Sequence, residues 1–201
     1  MLNKQNLAIS ALADRSKYAR ERAGILVSDN FTAATDSRVL AVVNRPAIDP
    51  ADFPVSPDGT PAQPKQGRYI LDAEDAGRLS KAIPKAKTFP ILANIMPLEP
   101  VNGSRRFLLG EIGSMSIQTL TPVDQKFPNF KRVWPKGKAK FEISFSVELL
   151  GNLLATMEKA STKHFPIVSL KFYDPDKAAR FQCKLTDEGQ KMTGLIMPCQ
   201  K

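Results

Sequence analysis

The alternation of apolar and polar positions repeats one order of elements, which is clearest near the end of the chain. Residues 141–145 alternate as a strand, Ser146 follows as a helix cap, and a helix is expected through about Ala160. Its apolar positions lie on one face at helical spacing: Leu149, Leu150, Leu153, Leu154 and Met157. Three alternating strands are predicted after it, at residues 168–172, 181–185 and roughly 192–197.

The middle of the chain has the same order. Residues 69–71 predict a short strand, Asp72 caps a helix from Ala73 to about Ile83, and Pro84 ends that helix. Three strands are then expected, at residues 91–98, 106–111 and 115–120. The start of the chain predicts a helix at residues 3–18 and strands at 25–27 and within 31–43, which makes it a shortened copy of the same pattern.

This repeat predicts the fold class. Alternating strands beside a one-faced helix indicate an α+β fold whose antiparallel sheets carry the helices on one face. We expect one domain at residues 1–135 and a half-domain at 136–201. The domain divides into an abbreviated first half at 1–45, a proline-rich loop at 46–67 and a second half at 68–135, because six prolines between residues 44 and 67 exclude ordinary helix or central strand. A generic α+β sandwich without functional repeats also fits the pattern.

Composition excludes several classes of protein. The 201-residue chain has no apolar run near the roughly 20 residues that cross a bilayer, and it opens on no secretory signal, so we expect a cytoplasmic protein without membrane contact. Cys183 and Cys199 are too few for a disulfide framework or a four-cysteine zinc site. A catalytic triad would need the single histidine, His164, and no phosphate-binding loop is present. We therefore expect neither enzyme activity nor a metal or cofactor.

The net charge of +9 adds a candidate partner. It rises from +1 in residues 1–67 to +4 in residues 68–135 and +4 in residues 136–201. An excess of base on a soluble chain favours a polyanionic partner such as nucleic acid. A diffuse, solvated basic surface is the alternative.

Three segments resemble the bacterial DNA polymerase sliding clamp family. Residues 34–41, Ala-Thr-Asp-Ser-Arg-Val-Leu-Ala, are similar to the clamp segment Ala-Thr-Asp-Gly-His-Arg-Leu-Ala. Residues 127–135, Phe-Pro-Asn-Phe-Lys-Arg-Val-Trp-Pro, resemble Phe-Pro-Asp-Tyr-Arg-Arg-Val-Leu-Pro at the junction of the clamp's second and third domains. Residues 196–201, Ile-Met-Pro-Cys-Gln-Lys, are similar to the clamp's terminal Met-Pro-Met-Arg-Leu. Each motif is weak alone, and their order beside the repeats makes the resemblance specific.

The resemblance implies a shortened sliding clamp, a processivity factor that holds double-stranded DNA and tethers DNA polymerase or other proteins with a clamp-binding motif. In the family, partners dock a short peptide in a hydrophobic pocket. Carried over by position, that pocket comprises Thr35, Leu40, Pro128, Arg132, Val133, Met197, Pro198 and Cys199. Apolar side chains suit leucine and phenylalanine anchors of a peptide, and the arginine offers directional donors. Individually, these residues could equally be ordinary core or strand-end positions.

In a clamp-like fold the helices face DNA. The basic residues on or just beyond the three predicted helices are therefore the candidate phosphate contacts: Arg15, Lys17, Arg20, Arg22, Arg78, Lys81, Lys85, Lys87, Lys159 and Lys163. Such contacts would give weak, salt-dependent binding without sequence preference. Solvated helix faces are the alternative interpretation.

The chain departs from the family in ways that leave its assembly open. Ser37-Arg38-Val39 replaces Gly-His-Arg, Cys199 replaces a methionine, and the chain is far shorter than a three-domain clamp subunit. A ring of six domains contains twelve half-units, so three half-units per chain would close it as a tetramer. A monomer that keeps only the peptide pocket, or a basic nucleic-acid-binding domain with clamp-like architecture alone, are the alternatives.

Overall fold

The computed structural model describes residues 1–14, 22–47, 55–60, 67–84, 90–111, 113–135 and 137–199. The chain forms two compact units, Met1–Trp134 and Pro135–Lys201. No helix among the described residues is both long and apolar enough to span a membrane.

The first unit contains two half-units, each with the order strand, helix and three strands. The first half-unit comprises β1 (Leu2–Asn3), α1 (Lys4–Ala8), β2 (Gly24–Val27), β3 (Phe31–Thr35) and β4 (Leu40–Asn44). The second comprises β5 (Tyr69–Asp72), α2 (Ala73–Ala82), β6 (Asn94–Val101), β7 (Ser104–Glu111) and β8 (Ser114–Leu120). The first half-unit therefore has a strand, β1, that the sequence analysis did not predict.

The two half-units exchange their first strands. The described strands form two four-stranded antiparallel sheets, in the orders β1-β6-β7-β8 and β5-β2-β3-β4. Leu2 of the first half-unit pairs with Ile95 of the second, and Leu71 of the second pairs with Ile25 of the first. The exchange places apolar side chains of both half-units in one buried cluster, which includes Phe107. Neither half-unit could bury this surface alone.

A buried asparagine fixes α1 against the sheet. Asn3 and Asn6 form a capping box, each side chain accepting the other's backbone N–H. The fully buried Asn6 amide also donates to Asn44 O at 3.0 Å and to Thr32 Oγ1 at 3.3 Å, while Thr32 Oγ1 donates to Asn6 O at 3.0 Å. This network satisfies polar groups that would otherwise be costly to bury.

The predicted single helix over residues 3–18 is wrong. The α-helix ends at Ala8 and continues as a 3-10 helix at Ile9–Leu12. Asp14 N–H then donates to Arg22 O at 2.9 Å, and the two side chains form an ion pair at 3.2 Å. These contacts stabilise a chain that has left the helix, whereas helix propensity alone would continue the helix. Residues 15–21 lie outside the described part of the chain.

The second unit contains one half-unit. Its elements are α3 (Val147–Ala160), β9 (Val168–Lys171), β10 (Ala179–Lys184) and β11 (Lys191–Ile196). The described strands form an antiparallel sheet in the order β11-β10-β9, and α3 packs on it through Leu150, Leu153 and Met157. These features, with the sheets of the first unit, confirm the predicted α+β class with antiparallel sheets.

The predicted strand at residues 141–145 does not form. The structure places this segment outside any assigned strand, although Ser144 O accepts one backbone hydrogen bond from Cys199 N–H at 2.8 Å. The reason is physical: a strand exists only where a neighbouring strand satisfies its backbone groups. The alternation of the sequence is correct, but the described residues of this unit provide no such neighbour.

Part of the proline-rich loop is anchored to the first unit. The Asp58 carboxylate accepts from Ser56 Oγ at 2.6 Å and from Thr60 N–H at 3.0 Å, and it pairs with Arg106 on β7. These donors hold the pKa of Asp58 well below its ordinary value. Residues 55–60 therefore lie against β7, whereas 48–54 and 61–66 fall outside the described residues.

Candidate functional site

The turn between β3 and β4 presents the first part of the predicted pocket. Thr35 and Leu40 are direct partners across the two strands. Thr35 is buried, and its hydroxyl donates to Val39 O at 2.7 Å and accepts from Ser37 N–H at 3.0 Å. Thr35 therefore shapes the turn, and the half-buried Leu40 is the member of this pair with apolar surface to offer.

The same turn holds a carboxylate in a fixed position. Asp36 Oδ1 accepts from the backbone N–H groups of Arg38 at 2.8 Å and Val39 at 2.7 Å. The Val39 and Arg38 N–H groups lower the pKa of the Asp36 carboxyl. Ser37 takes a left-handed conformation, with φ of 79°, at the position where the similar clamp segment has glycine.

The junction segment is ordered by aromatic packing. Residues Phe130–Arg132 form a 3-10 turn. The Phe130 ring lies edge-on to Phe31 of β3, with centroids 5.9 Å apart, and contacts Phe127 and Trp134 at 6.3 and 6.4 Å. This packing leaves Val133 outside the cluster and 75% exposed.

A groove of about 450 Å³ runs between β5 and the junction segment. Its apolar lining includes Tyr69, Ile70, Phe127 and Pro128. Its rim carries three exposed cations, which are Arg68, Lys126 and Lys131. A concave surface lined by both apolar and polar side chains, with a basic rim, suits an extended peptide that carries apolar and acidic side chains.

The groove only partly overlaps the predicted pocket. Pro128 lines it, but Thr35 and Leu40 do not. Thr35 lies at the opposite end of β3 from Phe31, about 13 Å along the strand. Sequence reasoning missed Arg68, Tyr69 and Ile70, because their place beside the junction depends on a backbone bond from Val123 N–H to Ile70 O at 2.8 Å. No local sequence signal indicates that bond.

The remaining predicted pocket residues lie in the second unit. Met197 is 63% exposed, and the Cys199 side chain is exposed. Pro198 and Cys199 line a shallow depression of about 270 Å³ with residues 142–144 and Pro175. A joint pocket of these residues with Leu40 and Arg132 stays a prediction.

The predicted DNA-contacting cations have different surroundings. Lys81 and Lys159 are exposed on α2 and α3. Arg78 is exposed and pairs with Asp75 on the same helix, Lys163 pairs with Asp187 at 2.6 Å, and Arg22 is half-buried against Asp14. The other five predicted contacts fall outside the described residues: Arg15, Lys17, Arg20, Lys85 and Lys87.

The basic charge is concentrated away from the described helices. On α2, Glu74 and Asp75 balance Arg78 and Lys81, and α3 carries two glutamates against Lys159. Residues 126–140, by contrast, contain six lysines and arginines and no acidic residue. Other residues separate most of these charges, so no contiguous run of like charge marks the segment in the sequence.

The fold of this chain is similar to that of bacterial DNA polymerase sliding clamps. A sliding clamp from Pseudomonas aeruginosa superposes with a TM-score of 0.67 at 16% identity, over 98% of this chain and 50% of the clamp. The Bacillus subtilis clamp gives 0.66 at 14% identity, over 99% and 48%. A P. aeruginosa clamp bound to griselimycin gives 0.66 at 17% identity, over 98% and 49%.

The likeness is one of structure. No protein-family model matches the sequence, and no curated protein matches it. The chain spans about half the length of the clamps on which it superposes.

Proposed function

We propose that this protein is a non-enzymatic, clamp-like processivity factor that binds double-stranded DNA without sequence preference and tethers DNA polymerase or other partner proteins. The observation that carries this proposal is the similarity to the clamp fold over 98% of the chain, which includes residues of both units. The net charge of +9 supports a polyanionic partner. A cytoplasmic location and the absence of a cofactor are parts of the same proposal.

Retention on DNA tests this function directly. The protein is loaded on nicked circular DNA or on linear duplex, and both are washed at about 0.5 M salt, where the Debye length is only a few ångströms. A protein that encircles DNA should stay on the circle and leave the linear molecule through its ends, because topology rather than charge holds it there. Equal loss from both molecules would contradict encirclement.

Within this proposal, the exposed helix cations contact phosphates. Lys81→Gln with Lys159→Gln should lower duplex affinity and reduce the slope of log affinity against log salt by about 1–2. The matched control is Lys131→Gln with Lys138→Gln, which removes the same charge from the junction segment. If only the control variant weakens binding, the helices do not contact DNA and the basic segment does.

Partner peptides dock in the proposed pocket, with Arg132 and Val133 on its junction side. Val133→Asp should weaken binding of a fluorescent leucine- and phenylalanine-containing clamp-binding peptide at least about tenfold, because a buried charge replaces an apolar contact. Val101→Asp is the matched control, since Val101 is also exposed, at 46%, and lies on the β6–β7 hairpin rather than in the junction segment. An equal effect of both substitutions would contradict the pocket assignment.

A second function is favoured by one observation. The basic-rimmed groove beside Pro128 is complete within the first unit, so the chain could bind partner peptides as a monomer that does not encircle DNA. Peptide binding by a monomeric species, without retention on circular DNA, would support this alternative.

A further inference from the structure

The half-unit of the second unit repeats the geometry of the half-units in the first. Each helix begins at a side-chain cap, Asp72 for α2 and Ser146 for α3. Ile70 and Ser144 each lie two residues before that cap, and each accepts one backbone hydrogen bond at 2.8 Å. The donors are Val123 and Cys199, and each lies three residues after the last strand of its half-unit. The two half-units are thus equivalent down to single backbone bonds.

The half-units differ in what covers them. In the first unit, β2 is paired on both edges, by β3 and β5, and β6 is likewise paired by β7 and β1. In the described part of the second unit, β9 is paired only with β10. Residues 135–140 are the whole connection between the first unit and residues 141–145, so no half-unit stands between them in the chain. One edge of β9 is therefore open in this unit.

The burial of equivalent positions shows the same difference. Every residue of β2 is buried, whereas β9 has only Val168 half-buried and the rest exposed. On the helices, Ala76 of α2 is fully buried, whereas its counterpart Leu150 of α3 is half-buried. Ala73 of α2 is half-buried, whereas its counterpart Val147 of α3 is 88% exposed.

The open side of the second unit is strongly apolar. Large apolar residues are exposed on α3, around β9 and in residues 141–145, and they include Phe141, Val147, Leu154, Phe165, Ile167 and Leu170. A groove of about 660 Å³ lies between α3 and the start of β9, lined by Gly151, Leu154, Ala155 and Phe165 among others. Exposed apolar side chains beside such a groove indicate a binding face.

We infer that a second copy of this chain covers this face, so that two second units close into one two-fold-symmetric domain. The first unit shows what covers an open half-unit: another half-unit of the same strand-helix-strands order, which both gives and receives a strand. A second copy presents that same order. The contact is isologous, because residues 141–145 of each copy pair with β9 of the other.

The registers of the first unit predict the pairing. Ile95 of β6 pairs with Leu2, the residue before the cap Asn3, and Ile25 of β2 pairs with Leu71, the residue before the cap Asp72. Val168 is the counterpart of Ile95 by its position in the sheet. Val168 pairs with Cys183, which lies four residues after the partner of Ile196. Likewise, Ile95 pairs with Leu109, which lies four residues after the partner of Leu120. Val168 should therefore lie opposite Phe145 of the second copy, the residue before the cap Ser146.

This register is chemically complementary. It places Leu170 opposite Ile143 of the second copy, and Lys171 opposite Glu142. Apolar and opposite-charge pairs are the cross-strand pairs that stabilise a sheet, whereas a shift by one residue would place Lys171 against Ile143. Charge and hydrophobicity thus both favour this register over a shift by one residue.

Disulfide trapping tests the register. In a Cys199→Ser background, Ser144→Cys with Ser169→Cys should give a covalent dimer on mild oxidation, because these residues are predicted to be direct cross-strand partners in the two copies. The control is Ser144→Cys with Thr193→Cys. Thr193 lies on the same sheet face two strands away, about 10 Å from Ser169, and should not trap a dimer. A cross-link within one chain, or equal trapping by the control, would overturn the inference.

The mass of the protein in solution tests whether a second copy covers this face, and it requires neither a disulfide nor DNA. Light scattering of the parent protein should give an even multiple of 22.1 kDa, and Leu170→Asp should raise the dissociation constant at least about tenfold. Leu195→Asp is the matched control, because Leu195 is also exposed, at 67%, but lies on the far edge strand β11. A parent that is monomeric at every concentration, or dissociation by the control alone, would overturn the inference. Both experiments are independent of DNA and peptide, so their failure is distinct from failure of the proposed function.

Discussion

The two units are built from the same half-unit, and they differ in whether a second half-unit covers it. In the first unit, Tyr69–Asp72 is a strand because β2 lies beside it. In the second, residues 141–145 alternate more regularly, yet they form no strand in the described structure. The comparison teaches that local pattern selects the helix and the three-strand meander, whereas the strand before the helix depends on its partner.

The largest expected effect breaks the closure of the first unit. A methyl group at Gly24 would meet the backbone carbonyl of Leu71 and the Ile70 side chain, exactly where β2 pairs with β5. Gly24→Ala should therefore reduce the free energy of unfolding by about 3 kcal/mol or more, because a backbone atom cannot move aside. Hydrogen exchange of the β2 and β5 amides measures this loss of free energy of unfolding.

The second unit provides the control. A methyl group at Gly194 would lie 2.5 Å from Leu153 Cδ1, the end of a flexible side chain. Gly194→Ala should therefore cost less, about 1–2 kcal/mol. If it destabilises the protein more than Gly24→Ala, strand exchange is not the dominant constraint in the first unit.

The next effect compares two equivalent core phenylalanines. Phe107 is fully buried between both half-units, and Phe181 is 1% exposed in the single half-unit. Phe107→Ala should cost about 3–5 kcal/mol, and Phe181→Ala should cost near the lower end of that range in dilute protein, since Phe145 beside it is half-buried and can relax. Urea unfolding at low and high protein concentration measures both. Equal costs in dilute protein would contradict the difference in packing.

A smaller loss is expected from the buried polar network. Asn6→Ala removes the amide that Thr32 Oγ1 and Asn44 O use, so it should reduce the free energy of unfolding by about 1–3 kcal/mol. Asn152→Ala, on the exposed surface of α3, should change it by no more than about 0.5 kcal/mol. Thermal unfolding followed by circular dichroism compares the two. A cost for Asn152→Ala as large as that for Asn6→Ala would contradict the role of the network.

The smallest expected effect is a gain. Ser37 has φ of 79°, a conformation that costs a non-glycine residue roughly 1 kcal/mol, so Ser37→Gly should be neutral or stabilise by up to about 1 kcal/mol. Ser28→Gly, in the preceding turn, has no such strain to relieve and serves as the control. A clear loss of stability in Ser37→Gly would show that the Ser37 side chain supports the β3–β4 turn.

The sequence predicted what local chemistry determines. The caps Asp72 and Ser146 and the apolar stripe of α3 located both longer helices to within a residue or two. Contacts between distant residues were not predictable in this way. The exchange of β1 and β5 pairs residues more than 40 positions apart, and a two-residue strand such as β1 has no periodicity to detect.

The candidate site was predictable to the same extent. The junction motif contains Pro128, which lines the groove, but Arg68 and Tyr69 lie beside that motif only through the tertiary bond between Val123 and Ile70. The basic segment at residues 126–140 is visible in the sequence as six lysines and arginines without an acidic residue, but other residues interrupt its charges. Arg22 and Lys163 were predicted phosphate contacts, but each forms an ion pair with an aspartate, Asp14 and Asp187 respectively.

The pairing of β1 with β6 also sets an order of events during synthesis. Leu2 leaves the ribosome 93 residues before its partner Ile95, which is a delay of about 5–20 s at typical rates of translation. The first sheet therefore remains incomplete until β6 emerges, whereas the hairpins of the second unit join residues that are synthesised nearly together. The nascent chain thus holds an unfinished apolar edge for seconds, and chaperone dependence during translation should be greatest for the first unit.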